Sequence, residues 1–186
     1  MARIPYPDPS RYEGQPLAER IRRERGGQLL NLYRMLLHSP PVTEGWLAFL
    51  TAIRHKTELP ARYRELAILR IAVLNGAEYE FEVHVPFALK EGVSREAIDA
   101  LRAKRNTNDL DEVDRAVVAY ADAMTREIHV PDDVFARMRE HFSERDVVEL
   151  TATIAAYNCV SRFLGALRID LEQAPAEQPA RPRNGF

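Results

Sequence analysis

Cysteine is all but absent: the 186 residues contain one, Cys159. A lone thiol excludes an intramolecular disulfide and fits a reducing compartment. Long apolar runs are missing too. No stretch approaches the ~18 apolar residues that a membrane span requires. The opening MARIPYPDPSRYEGQP lacks the apolar core of a signal peptide. The expectation is a cytoplasmic protein with no membrane partner. An excess of one charge is also lacking, since 26 Lys and Arg face 28 Asp and Glu for a net −2. That balance gives no bulk electrostatic reason to bind nucleic acid. The basic run RIRRERGG is interrupted by Glu24 and sits on a helical pattern, so it reads as a solvated helix face. Strand-like alternation is not found; almost every segment carries a 3.6-residue period.

What is present is ordinary globular material, 46% hydrophobic and 29% charged, in a length that suits one domain. Pro5, Pro7, Pro9 and Pro16 make residues 1–16 an irregular arm. The closing QAPAEQPARPRNGF has almost nothing to bury, which makes 173–186 a disordered tail. Residues 17–172 are expected to form a single helical domain. Its segments separate at Gly26-Gly27, at Pro40-Pro41, where Thr43 can cap the next helix, at Leu59-Pro60 and at Asn75-Gly76. Further starts fall at Ser94, Asp111, Pro131 and Ser143, with a loop at NTND and a long last helix from Arg145 to Glu172. The fold class is therefore all-α, a compact bundle of about eight or nine helices.

The segment from Glu78 to His84 alternates carboxylates and an imidazole with apolar residues. Residues four apart share a helix face, so Glu80 and His84 are neighbours, beside a stripe of Tyr79, Val83 and Phe87. A partly desolvated carboxylate coupled to histidine can be tuned as a general acid or base. The preceding helix, ARYRELAILRIAVL, is apolar almost all round, and Glu65 near its start is costly to bury unless paired. Its partner is either an arginine (Arg62, Arg64 or Arg70) or the Glu80–His84 pair. Pro86 predicts a kink just beyond His84. Cys159 reads as a small buried core residue.

The run ELAILRIAVLNGAEYEFEVHVPFALKEGVSREAIDAL resembles the core helical hairpin of the carboxymuconolactone decarboxylase family, which includes the alkyl hydroperoxidase D-like (AhpD-like) proteins. The resemblance is strong from about Leu59 to Leu101 and looser over YNCVSRFLGAL. It rests on a glutamate before an apolar helix, then Asn-Gly-Ala, a Tyr-Glu-aromatic triplet and a histidine. In the peroxidase branch the second helix carries C-x-x-C-x-x-x-H with an upstream relay glutamate. On this chain the histidine falls on His84 and the glutamate on Glu65, while the cysteine positions fall on Ala77 and Glu80. Disulfide-based peroxide reduction needs an attacking and a resolving thiol, so this chain cannot use that route. The decarboxylase branch has a glutamate and an aromatic where this chain has Glu80-Phe81.

The resemblance implies a cofactor-free enzyme that removes CO2 from a small carboxylated lactone in aromatic-compound catabolism. His84 would donate the proton, Glu80 would set its tautomer and charge, and Glu65 would complete the relay. A dianionic substrate needs cationic clamps, for which Arg62, Arg70 and Arg162 are candidates, with Asn158 lining the site. The competing expectation is a non-catalytic or regulatory helical oligomer that kept the scaffold after losing its cysteines. Metal binding is disfavoured because helical di-metal sites use Glu-x-x-His, not Glu-x-x-x-His. The continuous apolarity of the motif and closing helices, with the resemblance, implies a homo-oligomer: dimer-based, a trimer or a hexamer.

Overall fold

The computed structural model describes residues 1–102 and 110–172. The tail expected over 173–186 and the NTND loop lie outside the described residues. Those described form nine α-helices and no strand. They are α1 (Pro16–Glu24), α2 (Asn31–Leu36), α3 (Pro40–His55), α4 (Ala61–Asn75), α5 (Glu78–Lys90), α6 (Arg95–Arg102), α7 (Glu112–Arg126), α8 (Asp132–His141) and α9 (Glu144–Leu167). Before α1 the arm holds one short 3-10 helix, Pro9–Arg11.

The centre of the bundle is α4. Its near-continuous apolar sequence is buried by α5, α7 and α9, which all pack against it. Leu66, Ala67, Ile68, Leu69, Ile71 and Ala72 are essentially inaccessible. The helix ends where Gly76 takes a left-handed conformation, φ 62°, which costs glycine nothing. The sharp reversal that follows lays α5 back along α4.

Local chemistry fixes most boundaries. Asp111 caps α7 through the Asp114 N–H, and Ser143 with Asp146 closes a capping box on α9. The Ser94 hydroxyl accepts from the Ala97 N–H at 3.1 Å. Two expectations are corrected. Thr43 does not cap α3: the helix already starts at Pro40, because prolines fit a first turn whose N–H groups have no helical partner. Thr43 is buried instead and donates to the Leu36 carbonyl at 2.6 Å. The last helix stops at Leu167, not Glu172, because Arg168 adopts φ 50° and the Ile169 N–H turns back to the Leu164 carbonyl at 3.1 Å.

The segment after α9 ties down the beginning of the chain. Asp170 pairs with the N-terminal ammonium at 2.9 Å. Glu172 accepts from the Asn31 N–H at 2.6 Å and the Tyr79 hydroxyl at 2.8 Å. This strap holds α2 and its preceding loop over the α5 side of α4. Pro86 sits inside α5, which runs on to Lys90.

Candidate functional site

The buried face of α5 carries Tyr79, Glu80, Phe81, His84 and Ala88. Phe87, expected on the buried stripe, is 42% exposed. Glu80 and His84 are thus inside the packed face rather than at its edge, because α5 turns that face onto α4. There Glu65 meets them. His84 Nδ1 lies 2.6 Å from Glu65 Oε2, and His84 Nε2 lies 3.6 Å from Glu80 Oε2. All three residues are buried, at 3%, 5% and 1% exposure for Glu65, Glu80 and His84.

The two carboxyls are driven apart. Burial alone would raise Glu65, but its hydrogen bond to His84 and the charges of His84, Arg64 and Arg54 outweigh burial and hold it below the ordinary carboxylate value. An ionised carboxylate only accepts hydrogen bonds, so Nδ1 of His84 carries the proton and Nε2 is turned to Glu80. Glu80 is raised, chiefly by burial, with Glu65 adding to the effect and His84 and Arg54 only partly countering it. Two carboxyls around one imidazole thereby take opposite protonation preferences, the pattern that separates an acid from its partner base. At 3.6 Å the gap between Nε2 and Glu80 is beyond a direct hydrogen bond and suits a bridging atom.

That gap opens on a small cavity of about 40 Å³, walled by Arg54, Tyr33, Tyr79, Glu80, His84 and Tyr157 among others. Its volume suits roughly one or two water molecules. The Tyr157 ring packs edge-on to His84 with centroids 5.1 Å apart. Its hydroxyl is buried without a hydrogen-bond partner, and burial pushes its pKa well up, so it is a neutral donor. The Arg54 guanidinium stacks on Phe87 at 5.3 Å and lies near enough to that hydroxyl for its charge to act on it. Among the described residues no carboxylate forms an ion pair with Arg54. A half-buried cation and an orphan hydroxyl therefore face the same space as Glu80 and His84.

Not every residue expected at the site is found there. Glu65, Glu80 and His84 converge, and Arg64, one of the expected partners of Glu65, also approaches it at 3.4 Å. The proposed clamps do not. Arg62 turns to α7, pairing with Asp114 and reaching the Gly92 carbonyl. Arg70 makes a two-pronged pair with Asp122 at 2.5 and 2.6 Å. Arg162 bonds the Asn158 side chain at 2.8 Å, and Asn158 also binds Asn75 and Thr125 at 3.0 and 2.9 Å. These groups are consumed by neighbours on α4, α7 and α9, and none lines the cavity. Cys159 is exposed on the outer side of α9 rather than buried. The imidazole's first nitrogen is taken by Glu65. Among the described residues no group of three or more His, Cys, Asp and Glu side chains is arranged to hold a metal ion.

Arg54 and Tyr157 were not expected. Each had a signal: Arg54 follows Leu47 and Leu50 at helical spacing, and Tyr157 follows Ile154, so both are polar groups in register with a buried stripe.

Comparison with known proteins gives a consistent picture. Residues 40–123 match the Carboxymuconolactone decarboxylase family. The chain is 28% identical over 102 residues to YdfG of Bacillus subtilis, covering 54% of this chain and 69% of that protein. A solved Agrobacterium tumefaciens protein of unknown function, described in connection with AhpD antioxidant defence, is 27% identical with a TM-score of 0.68. That match covers 74% of this chain and 95% of the other. The AhpD-core, peroxidase-related protein of Ralstonia eutropha superposes with a TM-score of 0.78 at 19% identity, covering 92% of each chain. The last shows the fold alone.

Proposed function

Because residues 40–123 match the carboxymuconolactone decarboxylase family and the chain has the AhpD-like all-α fold, we propose that it is a cofactor-independent acid–base enzyme acting on a small carboxylated lactone or a related enolisable acid. The observation that carries this reading is one buried imidazole set between two buried carboxyls, Glu65 at 2.6 Å and Glu80 at 3.6 Å, beside a cavity walled by Arg54 and Tyr157. The substrate carboxylate leaves as CO2, and its bonding electrons pass into a conjugated enolate. Arg54 and the Tyr157 hydroxyl stabilise the developing negative charge. The Glu80 carboxylic acid delivers its proton to carbon and is reprotonated from solvent through His84. Glu65 fixes the imidazole tautomer and offsets its positive charge. Relative to the sequence reading, Glu80 replaces His84 as the proton donor to carbon, His84 becomes the relay, and Glu65 takes over from Glu80 the setting of the imidazole tautomer.

The dithiol peroxide route has no counterpart in this site, since Ala77 and Glu80 occupy the positions where the peroxidase branch carries cysteines. A second reading, a non-catalytic helical oligomer, draws on the cavity volume, because substrate pockets usually run to roughly 300 Å³ or more. Turnover therefore requires the strap and Tyr79 to yield. The proposal includes a cytoplasmic homo-oligomer, in keeping with the exposed apolar side chains Val42, Phe49 and Phe87. Size-exclusion chromatography with light scattering tests that part, and a monomer at micromolar concentration contradicts it.

The decisive experiment is a CO2-release screen of the purified protein against carboxylated lactones and β-keto acids, alongside His84→Ala and Glu80→Gln. Activity that falls at least ~100-fold in His84→Ala, the scale of a lost general acid–base group, supports the reading. Activity equal to wild type removes His84 from the mechanism.

A further inference from the structure

A second cavity, of about 200 Å³, opens where α5 begins and α9 ends. Its walls include Ala77, Glu78, Tyr79, Ser161, Gly165 and Arg168. Tyr79 lines both this cavity and the His84 cavity. Three independent features give this place its character.

The first is an uncapped helix start. Ala77 is the N-cap of α5 and has no side chain that could accept a hydrogen bond. Among the described residues, no hydrogen bond engages the N–H groups of Glu78, Tyr79 and Glu80. Those donors and the positive end of the helix dipole are left to whatever enters the cavity. The second feature is Ser161 on α9. It is 7% exposed, and its hydroxyl is buried without a partner. A buried hydroxyl left unpaired is costly, and a ligand oxygen would remove that cost. The third is Arg168. Its left-handed backbone ends α9 and sets its guanidinium-bearing side chain at the cavity wall, and no hydrogen bond or ion pair among the described residues engages that side chain.

The carbonyl end of α9, which would repel an anion, is occupied elsewhere. Arg3 covers it, donating from its guanidinium to the Ala166 carbonyl at 3.0 Å and from its N–H to the Leu167 carbonyl at 2.9 Å. The one acidic wall residue, Glu78, is paired with Arg102 on α6. Gly165 keeps the floor open, since a Cβ there would meet nothing within 4 Å.

We propose that this cavity is a binding site for a small oxyanion, a carboxylate or phosphate group, held by the α5 N–H groups, the Ser161 hydroxyl and the Arg168 guanidinium. The chemistry is that of anion binding at a helix N-terminus, reinforced by one neutral donor and one cation. The site goes beyond the acid–base reading and stands or falls without it, because its test measures binding and not turnover.

The test titrates the full chain with sodium phosphate and, separately, sodium acetate, at ionic strength held constant with chloride. Calorimetry and thermal melting are read together. Three variants accompany wild type, each chosen to leave the fold intact. Ser161→Ala removes an unpaired hydroxyl. Arg168→Gly removes the cation at a backbone position that glycine prefers. Gly165→Leu fills the floor with a good helix former. Saturable binding of either anion is expected in wild type. It should weaken by about fivefold or more in Ser161→Ala and Arg168→Gly, in line with the loss of one hydrogen bond each, and vanish in Gly165→Leu. The stronger of the two anions identifies the source of the oxyanion. Binding that persists in all three variants, or no saturable binding of either anion in wild type, overturns the proposal.

Discussion

The two sides of α4 handle buried charge in opposite ways. Toward α7, each arginine has its own aspartate: Arg62 with Asp114 and Arg70 with Asp122. Toward α5 and α9, Glu65 shares one imidazole with a second carboxyl and meets Arg64 at 3.4 Å, while Arg54, a cation at the cavity, has no carboxylate partner among the described residues. The α7 side is close to neutral pair by pair, although one Asp114 oxygen stays unpartnered. The α5 side holds a carboxyl raised by burial, a hydroxyl without a partner and a cavity. Paired charges fix how α4 and α7 align; unpaired ones are the groups left over to act on a ligand.

This contrast can be broken most forcefully on the α7 side. Arg70→Met strands the Asp122 carboxylate, which is then left with Arg126 at 3.9 Å. A cost of about 2 kcal/mol is expected, below the roughly 3–5 kcal/mol of a fully enclosed pair, because Asp122 keeps some solvent contact. Urea denaturation reads the loss, and activity per folded molecule should not change. A drop in turnover with unchanged stability would move Arg70 into the site.

Arg54→Met is the matching change on the other side. Removing a charge-stabilising group there should lower kcat/KM about tenfold, a loss of roughly 1.4 kcal/mol of transition-state stabilisation. Folding stability should change little, since no ion pair is broken. Steady-state kinetics beside a melting curve separates the two effects, and a melting loss without a kinetic one would make Arg54 a structural residue.

Glu80→Gln gives the smallest and most diagnostic shift. The folded-state pKa of Glu80 is raised above its ordinary 4.5, so the folded protein keeps a proton that the unfolded chain has lost. Its favourable contribution is complete below about pH 4.5 and declines as pH rises through the folded value. Glutamine mimics the neutral acid at every pH. The variant should therefore melt higher than wild type at pH 7, by about 2–4 °C for each kcal/mol recovered, and the difference should close toward pH 4. A constant difference across that range would mean that Glu80 is ionised in the folded protein.

The contrast also explains how much could be read from the residues alone. Helical spacing places Glu80 beside His84, and the apolar run around Glu65 demands a partner, so the triad was within reach. The all-α class and a bundle of about eight or nine helices follow from the same periodicity, and the described residues form nine. Matching charge to a substrate places the arginines at the site, whereas the chain's own aspartates claim two of them. Arg62 and Arg70 are eight residues apart, as are Asp114 and Asp122, and that equal spacing is the mark of two helices joined by a ladder of pairs. Arg54 and Tyr157 were missed for another reason. They come from α3 and α9, far from the motif in sequence, and only packing brings them to the cavity. Thr43 and Arg168 were misread at helix ends, where a proline in the first turn and a left-handed arginine override the usual capping signals.

The central claim is that the Glu65–His84–Glu80 cluster transfers a proton to carbon. It is tested most directly by running the reaction in D2O on a carboxylated lactone that the CO2-release screen identifies, and following the product by NMR. Wild type should place one deuterium on the carbon that lost CO2, and His84→Ala should do so at least ~100-fold more slowly. Equal rates of deuterium incorporation in the two proteins would contradict the account.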